Sequence, residues 1–252
     1  MNTRADTRSA FPGPAAAGEA AQGYEKGALA REQLILHATR IFAAKGYAAA
    51  ATREICQAAG VNIAAIHYYF GGKEGLYRAV LTRPIHAFAE QFGGFDDAAL
   101  PFEQAMRRLL APFVRMALDD NDYDLQVIRL HLREMLEPTA VFRDVVSHNV
   151  MPHHQALAGL LARHCGLGRP DADIHQLAFA LVALANDYCI SREVMRMLAP
   201  DVLSRADAGE RILDRLVGYS IALVAHEQAR RGPASNRPRR GSGNSRQNKV
   251  KR

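Results

Sequence analysis

Between Ile55 and Tyr77 the chain reads ICQAAGVNIAAIHYYFGGKEGLY, two short apolar-periodic segments separated by one glycine. This spacing allows only short helices joined by a tight turn. Thr52 is expected to cap a helix running through Ala59, and Gly60 stands where a positive φ is needed to leave it. Asn62 is expected to cap the next helix, which places Ile66 and Phe70 one turn apart on one face. Ala58 and Ala59 let the two helices approach closely. Val61, Ile66 and Phe70 are then the anchors against Ile55, Ile41 and Phe42. Ile63, Ala64, His67 and Tyr68 are left facing outward. The pattern has the form of a helix-turn-helix.

That outward set has a use. Small residues at a helix start allow entry into a DNA major groove without collision. Aromatic rings behind them can reach sugar, phosphate or a thymine methyl. Lys73, at the start of the following helix, is placed to meet a backbone phosphate. The same segment read without DNA is three small helices of a bundle, and a helical protein-docking module is the alternative function.

The rest of the chain reads as helix as well. Leu34, Ile35, Ala38, Ile41 and Phe42 form an apolar stripe closed by Gly46. Further helices are expected over Lys73–Gln91, 101–118, 123–136, 139–164 with a break near Pro152, 172–195 and 208–229. No β alternation and no internal repeat is evident. The expected fold is all-α, a three-helix helix-turn-helix domain over 24–80 joined to a larger helical regulatory and dimerisation domain over 81–229. Residues 1–23 and 230–252 are too poor in large apolar groups to offset the entropy of ordering and are expected to be flexible extensions.

Charge is unevenly spread. Residues 230–252 carry nine Lys and Arg and no acid, residues 24–80 seven basic and four acidic groups, and residues 81–229 fourteen basic and twenty acidic. The overall +6 is therefore mostly a property of the tail. A basic tail adds sequence-independent attraction to phosphate or is a solvated end. No apolar run is long enough to cross a bilayer, and the N-terminus lacks the pattern of an export signal. Cys56, Cys165 and Cys189 are far apart and lack metal-ligand spacing, as in a protein of the reducing cytoplasm. Gly71-Gly72-Lys73-Glu74-Gly75 lacks the glycine spacing of a nucleotide cradle and follows a helix. No catalytic constellation, metal site or cofactor motif is found, so an enzyme is not expected.

The segments ILHATRIFAAKGYAAAATREICQAAGV and NIAAIHYYFGGKEGLY together resemble the N-terminal domain of the TetR family of bacterial transcriptional regulators over about fifty residues. The string NIAAI with YYFGGKEGLY, and LHLREMLEPTAVFRDVV at 130–146, are most similar to its CecR-like subgroup. The resemblance implies a homodimeric repressor, released from a palindromic double-stranded operator by an unknown small-molecule effector, with transport or efflux genes as targets. It implies DNA contact at Thr52 and Arg53 where the second helix begins, and at Asn62, Ile63, Ala64 and Ala65 where the recognition helix begins. His67 stands where the family most often has a tyrosine, Tyr68 and Tyr69 match the following aromatic pair, and Lys73 matches a phosphate-binding lysine. Ala65 and His67 depart from the common pattern, which bears on base preference.

The regulatory body is less legible. Segment 174–190 is apolar on more than one face, and Ile212, Leu213, Leu216, Val217, Tyr219, Ile221, Leu223 and Val224 follow on the last helix. Two such helices from each subunit would make a four-helix dimer interface. For the effector, Arg129 and Arg133 form an i,i+4 pair beside Glu134, and Asp187 is the acid expected between them. A structural salt bridge among the same groups is the plainer reading.

Overall fold

A computed structural model describes residues 14–119 and 121–232 of the chain, with side chains from residue 25 onward. The chain is helical throughout them. The helices are α1 (Pro14–Ala49), α2 (Thr52–Ala58), α3 (Ala64–Phe70), α4 (Lys73–Phe92), α5 (Phe102–Leu118), α6 (Asp122–Leu136), α7 (Ala140–Val145), α8 (Met151–His164), α9 (Ala172–Ile190), α10 (Arg192–Leu198), α11 (Asp201–Ser204) and α12 (Ala208–Arg231).

Most boundaries follow from local chemistry. Gly46 at φ 77° breaks α1 near its end. Asn121, Thr139 and Asp171 each accept a backbone N–H at the start of α6, α7 and α9. Between α7 and α8 a π-helical turn spans Val146–Val150. Pro152 lies just past it and has no N–H for the carbonyl four residues earlier, so the α ladder slips there.

Four boundaries differ from expectation. Helix α1 starts at Pro14, inside the segment expected to be flexible, because a proline-led, alanine-rich run is a strong helix former. Thr52 does not cap α2; the extended residue there is Ala51, and Thr52 is already helical. The helix expected over 172–195 breaks at Ser191, whose hydroxyl turns back to Asp187 Oδ1 at 2.6 Å. At the C-terminus, Arg230 and Arg231 belong to α12 and bind Asp171, Asp173 and Glu227. The remaining basic residues of the expected tail lie outside the described residues.

The apolar side chains form two cores. One gathers Leu34, Ile35, Ala38, Phe42, Ile55, Cys56, Ile66, Leu76, Tyr77, Val80 and Leu81 from α1–α4, together with Leu130 of α6 and Val141 and Val145 of α7. The other is built from α5, α8, α9 and α12 around Met106, Leu110, Leu161, Leu181 and Leu216. Helix α4 feeds both cores, with Tyr77 in the first and Phe92 in the second. The helix-turn-helix therefore shares its core with α6 and α7.

A buried polar chain crosses that shared core. Tyr77 is fully buried, with its ring edge-on to Phe42 at 4.6 Å. Its hydroxyl donates to the carboxylate of Glu134, itself 2% exposed. Glu134 Oε2 also accepts from Thr139 N at 2.9 Å and Thr139 Oγ1 at 3.0 Å, and Thr139 Oγ1 caps α7 through Phe142 N. Helices α4, α6 and α7 are thus joined by one carboxylate.

Glu134→Ala leaves the Tyr77 hydroxyl and the Thr139 N–H without their acceptor. The expected cost is about 1–3 kcal/mol for each orphaned group, read by urea unfolding. Burial, then the bond to Glu134, pushes the Tyr77 phenol well above its ordinary 10.0. The folded state therefore holds this proton where the unfolded chain gives it up. Its stabilisation is complete below about pH 10 and is lost as pH rises further. Unfolding midpoints measured between about pH 9 and 11 should fall for the native chain, and Tyr77→Phe should flatten that slope.

Candidate nucleic-acid interface

The turn between α2 and α3 is fixed by its own backbone. Gly60 takes φ 66°, Gly60 N donates to Gln57 O at 3.2 Å, and Val61 N donates to Cys56 O at 3.0 Å. Asn62 then accepts from Ala64 N at 2.9 Å through Oδ1, which starts α3. Ile55 and Cys56 of α2 and Ile66 of α3 are buried, so each short helix is held by its inner face.

The opposite face of α3 is bare. Ile63, Ala64, His67 and Tyr68 are exposed at i, i+3 and i+4 spacing, while Ala65 and Tyr69 are half-buried. Tyr68 is 83% exposed, an unusual position for so large an aromatic ring without a partner surface. Its ring meets that of Tyr69 edge-on at 4.8 Å. Phe70, expected in the core, is only half-buried and carries the Arg31 guanidinium 5.3 Å over its ring. It closes the edge of the core instead of filling it.

Lys73 begins α4 beyond the Gly71–Gly72 link. Its Nζ donates to Ala48 O at 3.2 Å and sits 4.8 Å over the Tyr47 ring, so it ties α4 to the end of α1. Gly75 lets the first turn of α4 lie against the end of α3, since a Cβ there would lie 1.8 Å from Phe70 O. On α2, Arg53 is exposed and Thr52 half-buried. Lys45 and Glu54 pair at 2.7 Å and brace α1 against α2. The exposed surface of this unit thus consists of small, aromatic and basic groups on a packed support.

The four residues expected to hold an effector are not gathered in one place. Glu134 is committed to Tyr77 and Thr139. Arg129 and Arg133 are exposed on α6, with Arg133 Nε only 3.0 Å from where a Cβ on Gly46 would stand. Asp187, expected between these arginines, accepts from Ser191 Oγ on its own helix. A groove of about 250 Å³ opens elsewhere in the body, lined by Ala117, Leu118, Arg196, Pro200, Leu203 and Ser204. Sequence reasoning also missed Arg192, a buried cation at the start of α10 that is 2% exposed and donates to Asp119 O at 2.7 Å. Its only signal was a Ser-Arg step closing an apolar helix.

Among the described residues no group of three His, Cys, Asp or Glu side chains could hold a metal ion. No described helix is long and apolar enough to cross a membrane.

Comparison with known proteins places these features. Residues 34–80 match the model of the tetR family of bacterial regulatory proteins. Residues 102–222 match the C-terminal domain of the HTH-type transcriptional dual regulator CecR. The CecR of Shigella flexneri is 32% identical over 179 residues, which covers 68% of this chain and 80% of that protein. A putative transcriptional regulator from Pseudomonas aeruginosa shares the fold at a TM-score of 0.59, with 19% identity over 82% of this chain and 94% of its own. AibR, solved in complex with isovaleryl coenzyme A and operator DNA, does so at 0.54, with 20% identity over 75% of this chain and 97% of its own. With the reading face of α3, its glycine-turned support and the two matched segments in agreement, the chain belongs to the TetR family of DNA-binding transcriptional regulators.

Proposed function

We propose that the chain represses transcription by binding a palindromic operator as a homodimer and leaves the DNA when a small-molecule effector loads its body. The observation that carries this reading is the division of α3, with Ile66 buried and Tyr68 83% exposed on the opposite side. A helix held that firmly on one face and left that bare on the other suits a groove. AibR, with both operator DNA and a coenzyme A ester in one structure, supports the pairing of DNA with an effector.

The proposed division runs through 24–80 as reading head and 81–229 as effector and dimer body. Thr52, Arg53 and Lys73 meet phosphate, Asn62, Ile63, Ala64 and Ala65 line the entry of α3, and His67, Tyr68 and Tyr69 meet bases or sugar. Genes for transport or efflux are the proposed targets. The Shigella flexneri relative is named a dual regulator, and for this chain the placement of the operator decides repression against activation.

The dimer reading rests on large apolar side chains that the body leaves exposed. On α9, Phe179 is 65% and Leu184 39% exposed; on α12, Tyr219 is 45% and Ile221 42% exposed. The same helices carry Ile174, Ala178, Leu181, Ile212 and Leu216 into the core, and the exposed groups flank those buried stripes. A second copy laid against α9 and α12 would cover part of this apolar surface and bring two α3 helices to successive major grooves, about 34–36 Å apart or a multiple of a turn.

Three measurements test the proposal. Tyr68→Ala should weaken operator binding more than random-duplex binding, and Tyr68→Phe separates ring packing from hydroxyl bonding. Lys73→Ala should weaken both DNAs alike and reduce the salt slope by roughly one unit, with a small loss of stability because it also holds α1. If both alanine variants leave operator affinity unchanged at one fixed salt concentration, the groove assignment fails. Sedimentation equilibrium should give twice the 27.7 kDa chain mass, and Phe179→Glu should shift it toward one. Removal of residues 233–252 takes away seven basic groups and should weaken random-DNA binding and lower its salt slope while operator preference is kept.

A further inference from the structure

Two histidines of the body meet where α8 packs on α9. His154 of α8 and His175 of α9 are half-buried, and His154 Nε2 lies 2.9 Å from His175 Nδ1. The two rings are within 17° of parallel. A bond of this kind holds one proton, carried by one ring nitrogen and accepted by the lone pair of the other. A neutral pair can form it. A pair with one added proton can form it too, since the second ring still offers a lone pair. A doubly protonated pair cannot, because two N–H groups then meet and two like charges share the joint.

The neighbours do not offset a second charge. The His154 ring lies 4.6 Å from that of Phe179 and is tilted by only 28° to it. Phe179 in turn is 65% exposed. Burial, then the charge of His175, holds the His154 imidazole below its ordinary 6.5, so it is mostly neutral at pH 7. On α9, Asp171 and Asp173 precede His175 by four and two residues, and Arg231 and Arg230 of α12 bind them. On α8, His153 turns instead to Phe92 of α4, edge-on at 5.1 Å. Among the described residues, neither histidine of the pair holds a carboxylate.

We propose that the His154–His175 pair is an acid-sensitive latch at the edge of the dimer face. When a second copy covers Phe179, the histidine ring that lies against it loses water as well. Loss of water disfavours charged rings, so the dimer binds fewer protons than two separate chains. Association therefore weakens as pH falls below about 6.5, the range in which a histidine of the separate chain charges. A separate chain brings one recognition helix to DNA in place of two, so acid also releases the operator. The latch rests on the dimer proposed above for its effect on association and DNA; the proton chemistry of the pair does not.

Sedimentation equilibrium of the full chain at about pH 7.5 and about pH 5.5 tests the latch. The dimer dissociation constant should rise at least roughly tenfold on acidification, the factor carried by one unit of proton affinity. His154→Phe keeps a ring against Phe179 and removes the titrating nitrogens. His175→Gln keeps an amide that can donate to His154, and it decides the matter if His154→Phe fails to fold. Each variant should cut the rise to less than about threefold. A dissociation constant that is the same at both pH values, or a rise that persists undiminished in the folded variants, overturns the latch. A chain that is monomeric at both pH values removes the dimer face and the latch's effect on association with it. Urea unfolding then reads the pair alone. The midpoint of the native chain should fall between about pH 7 and 5, and His154→Phe should flatten that fall. Equal falls in the two proteins would overturn the pair as well.

Discussion

The Glu134 carboxylate is the contact on which the arrangement of the molecule depends. It is buried, it accepts from Tyr77 on α4, and it accepts twice from Thr139, the cap of α7. Tyr77 and Glu134 are buried and Thr139 half-buried, so the three helices keep one mutual geometry or lose hydrogen bonds. Around it the same core holds Leu130, Val141 and Val145 from the body and Phe42, Ile55 and Ile66 from the reading head. A boundary at residue 80 or 81 therefore divides the sequence more cleanly than it divides the packing. The head has no separate core of its own, and its orientation is set by α6 and α7 as much as by α4.

The surface between head and body repeats this logic with charge. Arg78 of α4 pairs with Asp144 of α7, Arg83 of α4 with Glu32 of α1 at 2.6 Å, and Arg40 of α1 meets Asp122 of α6 at 3.4 Å. These groups are partly exposed, and each such pair contributes at most about 1 kcal/mol. They fix register; the apolar core and the Glu134 network supply the stability. A groove of about 640 Å³ remains open beside them, floored by Tyr69 and Phe70 and edged by Arg31, Arg78 and His148.

The helix-turn-helix was legible in the sequence because its turn and cap signals agreed. Gly46 and Gly60 marked the turns, Asn62 marked the start of α3, and the three-to-four spacing of Leu34, Ala38 and Phe42 marked the inner face of α1. Thr52 misled because its propensity for capping is real, yet the extended conformation fell one residue earlier, at Ala51. Phe70 misled because helical spacing gives direction but not depth. In the body the i,i+4 arginines on α6 suggested a ligand site, while the acid beside them proved to be a tertiary joint 57 residues away from its tyrosine partner. Pairings at that separation leave no periodic trace. Arg192 was hidden for the same reason: its acceptor, the carbonyl of Asp119, is 73 residues distant.

One of these two long-range contacts lies at the end of α5, just before α6, and the other in the last turn of α6. Asp119, held by Arg192, immediately precedes the short link to Asn121, the cap of α6. Glu134 sits in the last turn of the same helix. At about 1.5 Å per residue the two ends are separated by roughly 20 Å of unbroken helix. Along that length α6 packs on α1, the longest helix of the head, and places Leu130 in the shared core. A pull on Arg192 would act first on the carbonyl at the end of α5, which leads into the helix whose last turn holds Glu134. A ligand that left that contact unchanged would have no differential interaction with which to bias the head, however tightly it bound.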